Sequence, residues 1–187
     1  MNDTKAFFNQ AARVWDTRKL PDAGKIETVL MLSDIRPGAV VLDAGCGTGV
    51  LEPYLLKYHP KRILAVDFAE NMIDTARAKL RDARVQFQCA DIFDLEPGAV
   101  SCDYCFFYNA FPHFNDPKQL IAHLATLMAA GGRVTISHTQ GVKTAGNGAV
   151  PAGSAAATLV RLLEPYFRPD VIIDNNVLLM VSALVLK

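Results

Sequence analysis

The sequence predicts an α/β fold of three layers: a mostly parallel sheet of seven strands between helices, with an antiparallel C-terminal strand. Three observations carry this. Apolar runs of strand length alternate with stretches of helical period. The runs assigned to the first four strands are rich in Val, Ile, Leu and Phe, as strands buried on both faces are. Near the C-terminus the alternation breaks, and two apolar runs follow one another with no room for a helix between them.

Taken in order, the chain opens with helices over about 4–16 and 22–35. The first places Phe7, Phe8, Ala11, Ala12 and Trp15 on one face, suited to docking on a core and to opening as a lid over about 1–35. "AVVLDA" (39–44) is the first strand. A helix follows, marked by Leu51, Leu55, Leu56 and Tyr58, with Pro53 tolerated in its opening turn. "RILAVD" (62–67) is a strand, then Met72, Ile73, Ala76 and Leu80 mark a helix. "VQFQCAD" (85–91) and "DYCFFYN" (103–109) are strands, Leu120 to Met128 repeats at helical spacing, and "RVTISH" (133–138) is a fifth strand. The glycine-rich stretch 139–154 reads as a long loop of the kind that is more often functional than not. "DVIIDNNVLLMVSALVLK" closes the chain as two strands joined by an Asp-Asn-Asn turn.

With 187 residues, 51% of them apolar and 20% charged, the chain is the size of a single domain spanning 1–187. Nineteen basic and nineteen acidic side chains cancel, and the basic ones are scattered, which argues against a nucleic-acid partner. There is no apolar signal core at the N-terminus, and no run long enough to span a membrane. The cysteines are Cys46, Cys89, Cys102 and Cys105, an arrangement expected of reduced thiols in a cytoplasm. Cys102 and Cys105 form C-x-x-C, but residues three apart on a strand point to opposite faces, so no metal site is expected.

The chemistry gathers at "VLDAGCGTGV" (41–50), where Gly45, Gly47 and Gly49 stand at alternate positions after a strand. Glycine lets backbone turn sharply and lie directly against a ligand. In open parallel sheets, ligands bind at the carboxyl ends of the strands. Asp43, Asp67 and Asp91 fall at the ends of the first three strands, each a possible turn or cap residue, together a ring of carboxylates. A dinucleotide fingerprint needs a third glycine where Val50 stands, and a phosphate-binding P-loop needs a lysine that this loop lacks. Carboxylates repel polyphosphate and suit a ligand with hydroxyls, an amine and a positive centre.

This pattern, D-x-G-x-G-x-G at Asp43–Gly49 with Asp67 in "AVDFAENMI" and Asp91 in "CADIFDL", resembles the class I S-adenosylmethionine-dependent methyltransferases, a Rossmann-like family whose sheet ends in an antiparallel strand pair. The resemblance runs from about residue 7 onward. It implies S-adenosylmethionine as cofactor. Gly45, Cys46, Gly47 and Gly49, with Asp43, would meet its methionyl end and ribose; Asp67 would accept from the ribose hydroxyls; Phe68 and Met72 would border the adenine. Asp91 would take the adenine amino group while Ile92 packs on the ring, and "FYNAFPHF" would place Tyr108, Asn109 and His113 between cofactor and acceptor. The N-P-P-[YF] sequence of nucleic-acid amine methylases is absent, since Ala110 and Phe111 follow Asn109. A small-molecule acceptor is therefore expected.

Since a sulfonium methyl is already activated, alignment is the main task, and a base is needed only for a protonated acceptor. His138, at the tip of the fifth strand, is the best-placed base, equally able to cap or pack; Asn109 and His113 are further catalytic candidates. A non-catalytic protein binding S-adenosylmethionine or S-adenosylhomocysteine is the alternative, told apart by whether the methyl group ever leaves. A nicotinamide oxidoreductase is disfavoured by Val50 and the closing strand pair. The sequence leaves open the acceptor and the oligomeric state.

Overall fold

The structure is a computed structural model that describes residues 2–18, 20–98, 100–139 and 155–186. The expected loop 139–154 lies outside the described residues except for Thr139. The elements are α1 (Asn2–Arg18), α2 (Ala23–Leu32), β1 (Val40–Ala44), α3 (Glu52–Leu55), β2 (Arg62–Asp67), α4 (Glu70–Lys79), β3 (Val85–Cys89), β4 (Cys102–Tyr108), α5 (Pro117–Leu127), β5 (Met128–His138), α6 (Ala155–Leu163), β6 (Phe167–Asp174) and β7 (Leu179–Val185).

Seven strands form one sheet in the order β3-β2-β1-β4-β5-β7-β6. The first five run parallel, and β7 is antiparallel to both β5 and β6 between which it lies. This is the predicted sheet. Alternating side chains bury both faces. Leu42, Ala44, Leu64, Val66 and Phe107 pack under α5 and α6, while Val41, Ile63, Tyr104 and Phe106 pack under α2 and α3. The strand order reverses at β1, whose neighbours are β2 and β4, so a crevice opens beyond the carboxyl ends of β1 and β4.

Several expectations need correction. The second helix ends at Leu32, not at 35, because Ser33 closes its carbonyls and Asp34 turns left-handed at φ 52°. Among the described side chains of α1 only Phe8 and Ala12 are buried, and Phe7 is 59% exposed. β5 starts at Met128 directly after α5, its pairing with β4 interrupted between Cys102 and Tyr104 by the glycine pair 131–132. Gly132 must be bare there, since a Cβ would stand 2.9 Å from the Ala129 carbonyl. Cys102 and Cys105 are both buried and belong to one apolar cluster. No metal-binding group of His, Cys, Asp and Glu occurs among the described residues, and no described helix is long and apolar enough to cross a membrane. Helix α6 was not expected; its apolar positions Ala155, Ala156, Leu159 and Leu163 line the α5 side of the sheet.

Candidate functional site

A cavity of about 960 Å³ opens at the switch point. Its floor is the loop leaving β1. Gly45 and Cys46 donate their N–H groups to the Val66 carbonyl at 2.8 and 3.0 Å, folding the loop over the end of β2. Gly45, Gly47 and Gly49 all have positive φ, but their reasons differ. A Cβ on Gly45 would meet the Ala110 Cβ at 2.7 Å, whereas one on Gly47 would find nothing within 4 Å. Gly47 thus leaves bare backbone facing the cavity.

Asp67 is 9% exposed and lines the cavity. Its Oδ2 accepts from the Gly47 N–H at 2.9 Å and its Oδ1 from the Ala69 N–H at 2.8 Å. Burial pushes its carboxyl up, against the pull of those two donors. Asp91 lines the same cavity while capping a short 3-10 turn over Ile92–Asp94, its Oδ1 accepting from Phe93 N at 3.1 Å. Both expectations for this residue hold together: it is a cap and it faces the cleft. Cys46, Phe68, Met72, Ile92, Tyr108, Asn109, His113 and His138 also line the cavity.

Two expected residues stand elsewhere. Asp43 and Gly49 do not line the cavity but lie behind its floor. Asp43 is 2% exposed, and a Cβ on Gly49 would press on Ala76 and Phe87 at 3.1 and 3.3 Å. Gly49 is therefore a packing glycine that lets α4 and β3 close on the loop. Asn109, expected as a catalytic group, adopts φ 56° and turns its amide to Thr139: Oδ1 accepts the Thr139 N–H at 2.8 Å, and Nδ2 donates to Thr139 Oγ1 at 3.0 Å. The amide ties the end of β4 to the end of β5. Burial pushes the Tyr108 hydroxyl up to about 12, so it enters the cavity as a neutral phenol. The Cys46 thiol is likewise held protonated, by burial and then by the carboxyls of Glu52, Asp43 and Asp67.

The cavity's other wall comes from the N-terminal helix, whose apolar face was expected to dock on the core or to close as a lid. Helix α1 covers it with Phe8 and Trp15; the Phe8 ring stands edge-on to Phe68 at 6.1 Å and to His113 at 5.0 Å. Asp16, not among the residues expected at the site, accepts from Thr48 Oγ1 at 2.6 Å and from Lys79 Nζ at 2.7 Å, joining α1 to the glycine loop and to α4. Its place one turn beyond Ala12 was the signal available. Glu52, also missed, is wholly buried at the start of α3.

The same reading follows from comparison with known proteins. Residues 41–132 match the model of a family described as methyltransferase domain. A ubiquinone biosynthesis O-methyltransferase of Coxiella burnetii is 31% identical over 144 residues, which cover 71% of this chain and 59% of that protein. A malonyl-[acyl-carrier protein] O-methyltransferase of Anoxybacillus flavithermus is 35% identical over 131 residues, covering 70% and 50%. The chain thus spans between half and three fifths of these relatives' lengths. Among solved structures, the N-methyltransferase NodS of Bradyrhizobium japonicum, in complex with S-adenosyl-L-homocysteine, superposes with a TM-score of 0.77 at 16% identity over 98% of this chain and 99% of that one. A SAM-dependent methyltransferase of Aquifex aeolicus gives 0.73 at 21% identity over 90% and 96%. The fold is the same. Residues 41–132 belong to the class I S-adenosylmethionine-dependent methyltransferase family.

Proposed function

We propose that the chain transfers a methyl group from S-adenosylmethionine to an oxygen nucleophile on a small acceptor. The observation that carries this is one cavity faced at once by the bare Gly45–Gly47 backbone and by the carboxylates of Asp67 and Asp91. These residues fit the cofactor. Gly47 leaves room where any side chain would intrude, and Asp67 presents a carboxylate of the kind that accepts from paired hydroxyls. Met72 and Ile92 supply apolar walls for a base, with Asp91 beside them. When bound, S-adenosylmethionine supplies an activated methyl group on a sulfonium.

The chain's own residues then have to align the acceptor and exclude water. Tyr108, His113 and His138 border the side of the cavity beyond the loop, with Lys25 and Asp22 at the start of α2. His138 is assigned as the base for an acceptor that arrives as a hydroxyl or carboxylic acid, a choice supported by its place at the tip of β5 in the cavity. Helix α1 acts as the lid. Oxygen is chosen because both relatives named above are O-methyltransferases. The four free cysteines are in keeping with a reducing, cytoplasmic setting.

Calorimetric titration with S-adenosylmethionine, S-adenosylhomocysteine and NAD tests the reading. The first two are expected to bind and NAD is not. Methyl release is then followed against a panel of phenols and carboxylic acids. Binding without release to any of them would favour a non-catalytic binder, and binding of NAD alone would overturn the assignment.

A further inference from the structure

Directly behind the cavity floor lie two carboxyl groups that the preceding account does not use. Asp43 is the last residue but one of β1, two residues before Gly45, and Glu52 begins α3, three residues after Gly49. Glu52 is fully buried; neither of its oxygens, nor Asp43 Oδ2, has a hydrogen-bond donor among the described residues. The Leu51 and Glu52 N–H groups act on Glu52 electrostatically without reaching bonding geometry. The two side chains are within bonding reach of each other. Three buried carboxyl oxygens left without another donor are satisfied when a proton on one acid is donated to the other. Between the pair and the cavity stands the loop itself, since Gly45, Cys46, Gly47 and Thr48 line the cavity on its other side.

We propose that Asp43 and Glu52 form a proton-sharing pair whose charge, set behind the glycine loop, makes the site favour the cationic methyl donor over its uncharged-sulfur product. This rests on the cofactor reading above. The groups facing the pair are Cys46 in the loop, Asp67 on β2, Cys105 on β4 and Lys79 on α4. Both thiols are held protonated by burial, so among these neighbours only Asp67 and Lys79 carry charge, and they oppose each other. Burial pushes Glu52 up to about 7 and Asp43 well above its usual range, so the pair can change charge near neutral pH. A cation seated on the loop draws a proton off the pair, and by linkage an ionised pair holds the cation more tightly.

The pair acts as a positioning and charge-setting device, and its test needs no acceptor. Titrate wild type and Glu52→Gln with S-adenosylmethionine and with S-adenosylhomocysteine between pH 6 and 8.5, in buffers of different ionisation enthalpy. In wild type, S-adenosylmethionine binding is expected to release protons and S-adenosylhomocysteine binding is not. The preference for the methyl donor should rise with pH by roughly fifteenfold, the size of one charge acting over roughly 10 Å at an effective dielectric of about 20. Glu52→Gln should remove both the proton release and the rise. Equal proton counts for the two ligands in wild type overturn the proposal while leaving the cofactor reading intact, and so does an unchanged preference in a folded Glu52→Gln. If Glu52→Gln does not fold, the wild-type proton count decides alone. If wild type binds neither ligand, the cofactor reading falls and this inference with it.

Discussion

Gly45 and Gly47 share a left-handed backbone yet answer to different constraints, and substitution separates them. Gly45→Ala drives a methyl to 2.7 Å from the Ala110 Cβ, so it should lower the melting temperature well below that of Gly47→Ala, whose new methyl meets open space. Gly47→Ala is expected to cost about 1 kcal/mol of strain, and Gly47→Val to fold yet lose cofactor binding by calorimetry. Asp67→Ala should weaken cofactor binding by ~1.5–3 kcal/mol, the worth of charge-assisted hydrogen bonds; an unchanged Kd would remove Asp67 from the site. His138→Ala should slow turnover most at low pH, the deficit shrinking as the acceptor ionises by itself; a profile merely scaled down would make the histidine a positioning group. At this scale the sequence shows residue types and spacing, which sufficed to bring Gly47, Asp67 and Asp91 to one cavity. Spacing does not say which side of a bend a residue occupies. Asp43 and Gly49 sit within the same ten-residue run as Gly47 and yet face the opposite way. Nor could it show that Asn109 is engaged by Thr139, thirty residues away.

Helix α1 is attached by side chains rather than by a sheet or a continuous core. Asn71 donates twice to Asn9 at 2.9 Å, from its backbone N–H to Oδ1 and from its Nδ2 to the carbonyl; Lys5 reaches Glu70 at 3.3 Å, and Asp16 joins Thr48 to Lys79. The exposed ion pairs are each worth little, but Thr48 is 2% exposed and has Asp16 as its acceptor. Asp16→Ala should therefore speed amide exchange across α1 while leaving β1 and β4 protected, and should weaken cofactor binding a few-fold. Uniform protection in α1 would show that Phe8 and Ala12 alone hold it. Elements with strong period were legible: β2 was read to the residue, and α4 and α5 to within a few residues. Helix α6 was not, because Ala155 and Ala156 carry a weak apolar signal beside a stretch rich in glycine. The start of β5 was hidden for a related reason, since Ala129–Gly132 lacks the branched side chains by which strands are recognised.

For the molecule as a whole, the buried Asp43–Glu52 pair couples folding to pH. Glu52 titrates at about 7 in the fold against 4.5 ordinarily, so the folded state holds a proton that the unfolded chain gives up. The stabilisation is complete below about 4.5 and is lost as pH rises through about 7, a change of roughly 3 kcal/mol at about 1.4 kcal/mol per unit. Asp82, held down at about 2 by Arg84, acts only at pH below that window. Urea unfolding of the ligand-free protein should give a lower midpoint at pH 8 than at pH 5, and Glu52→Gln should flatten the slope. The sheet's topology carries a different consequence. Strand β7 is made after β6 yet must be threaded between β6 and β5. A nascent chain halted on the ribosome before residue 179 has a raw flank on β5 and nowhere to seat β6. Protease resistance of stalled translation products should then appear late and in one step, after β7 has cleared the exit tunnel.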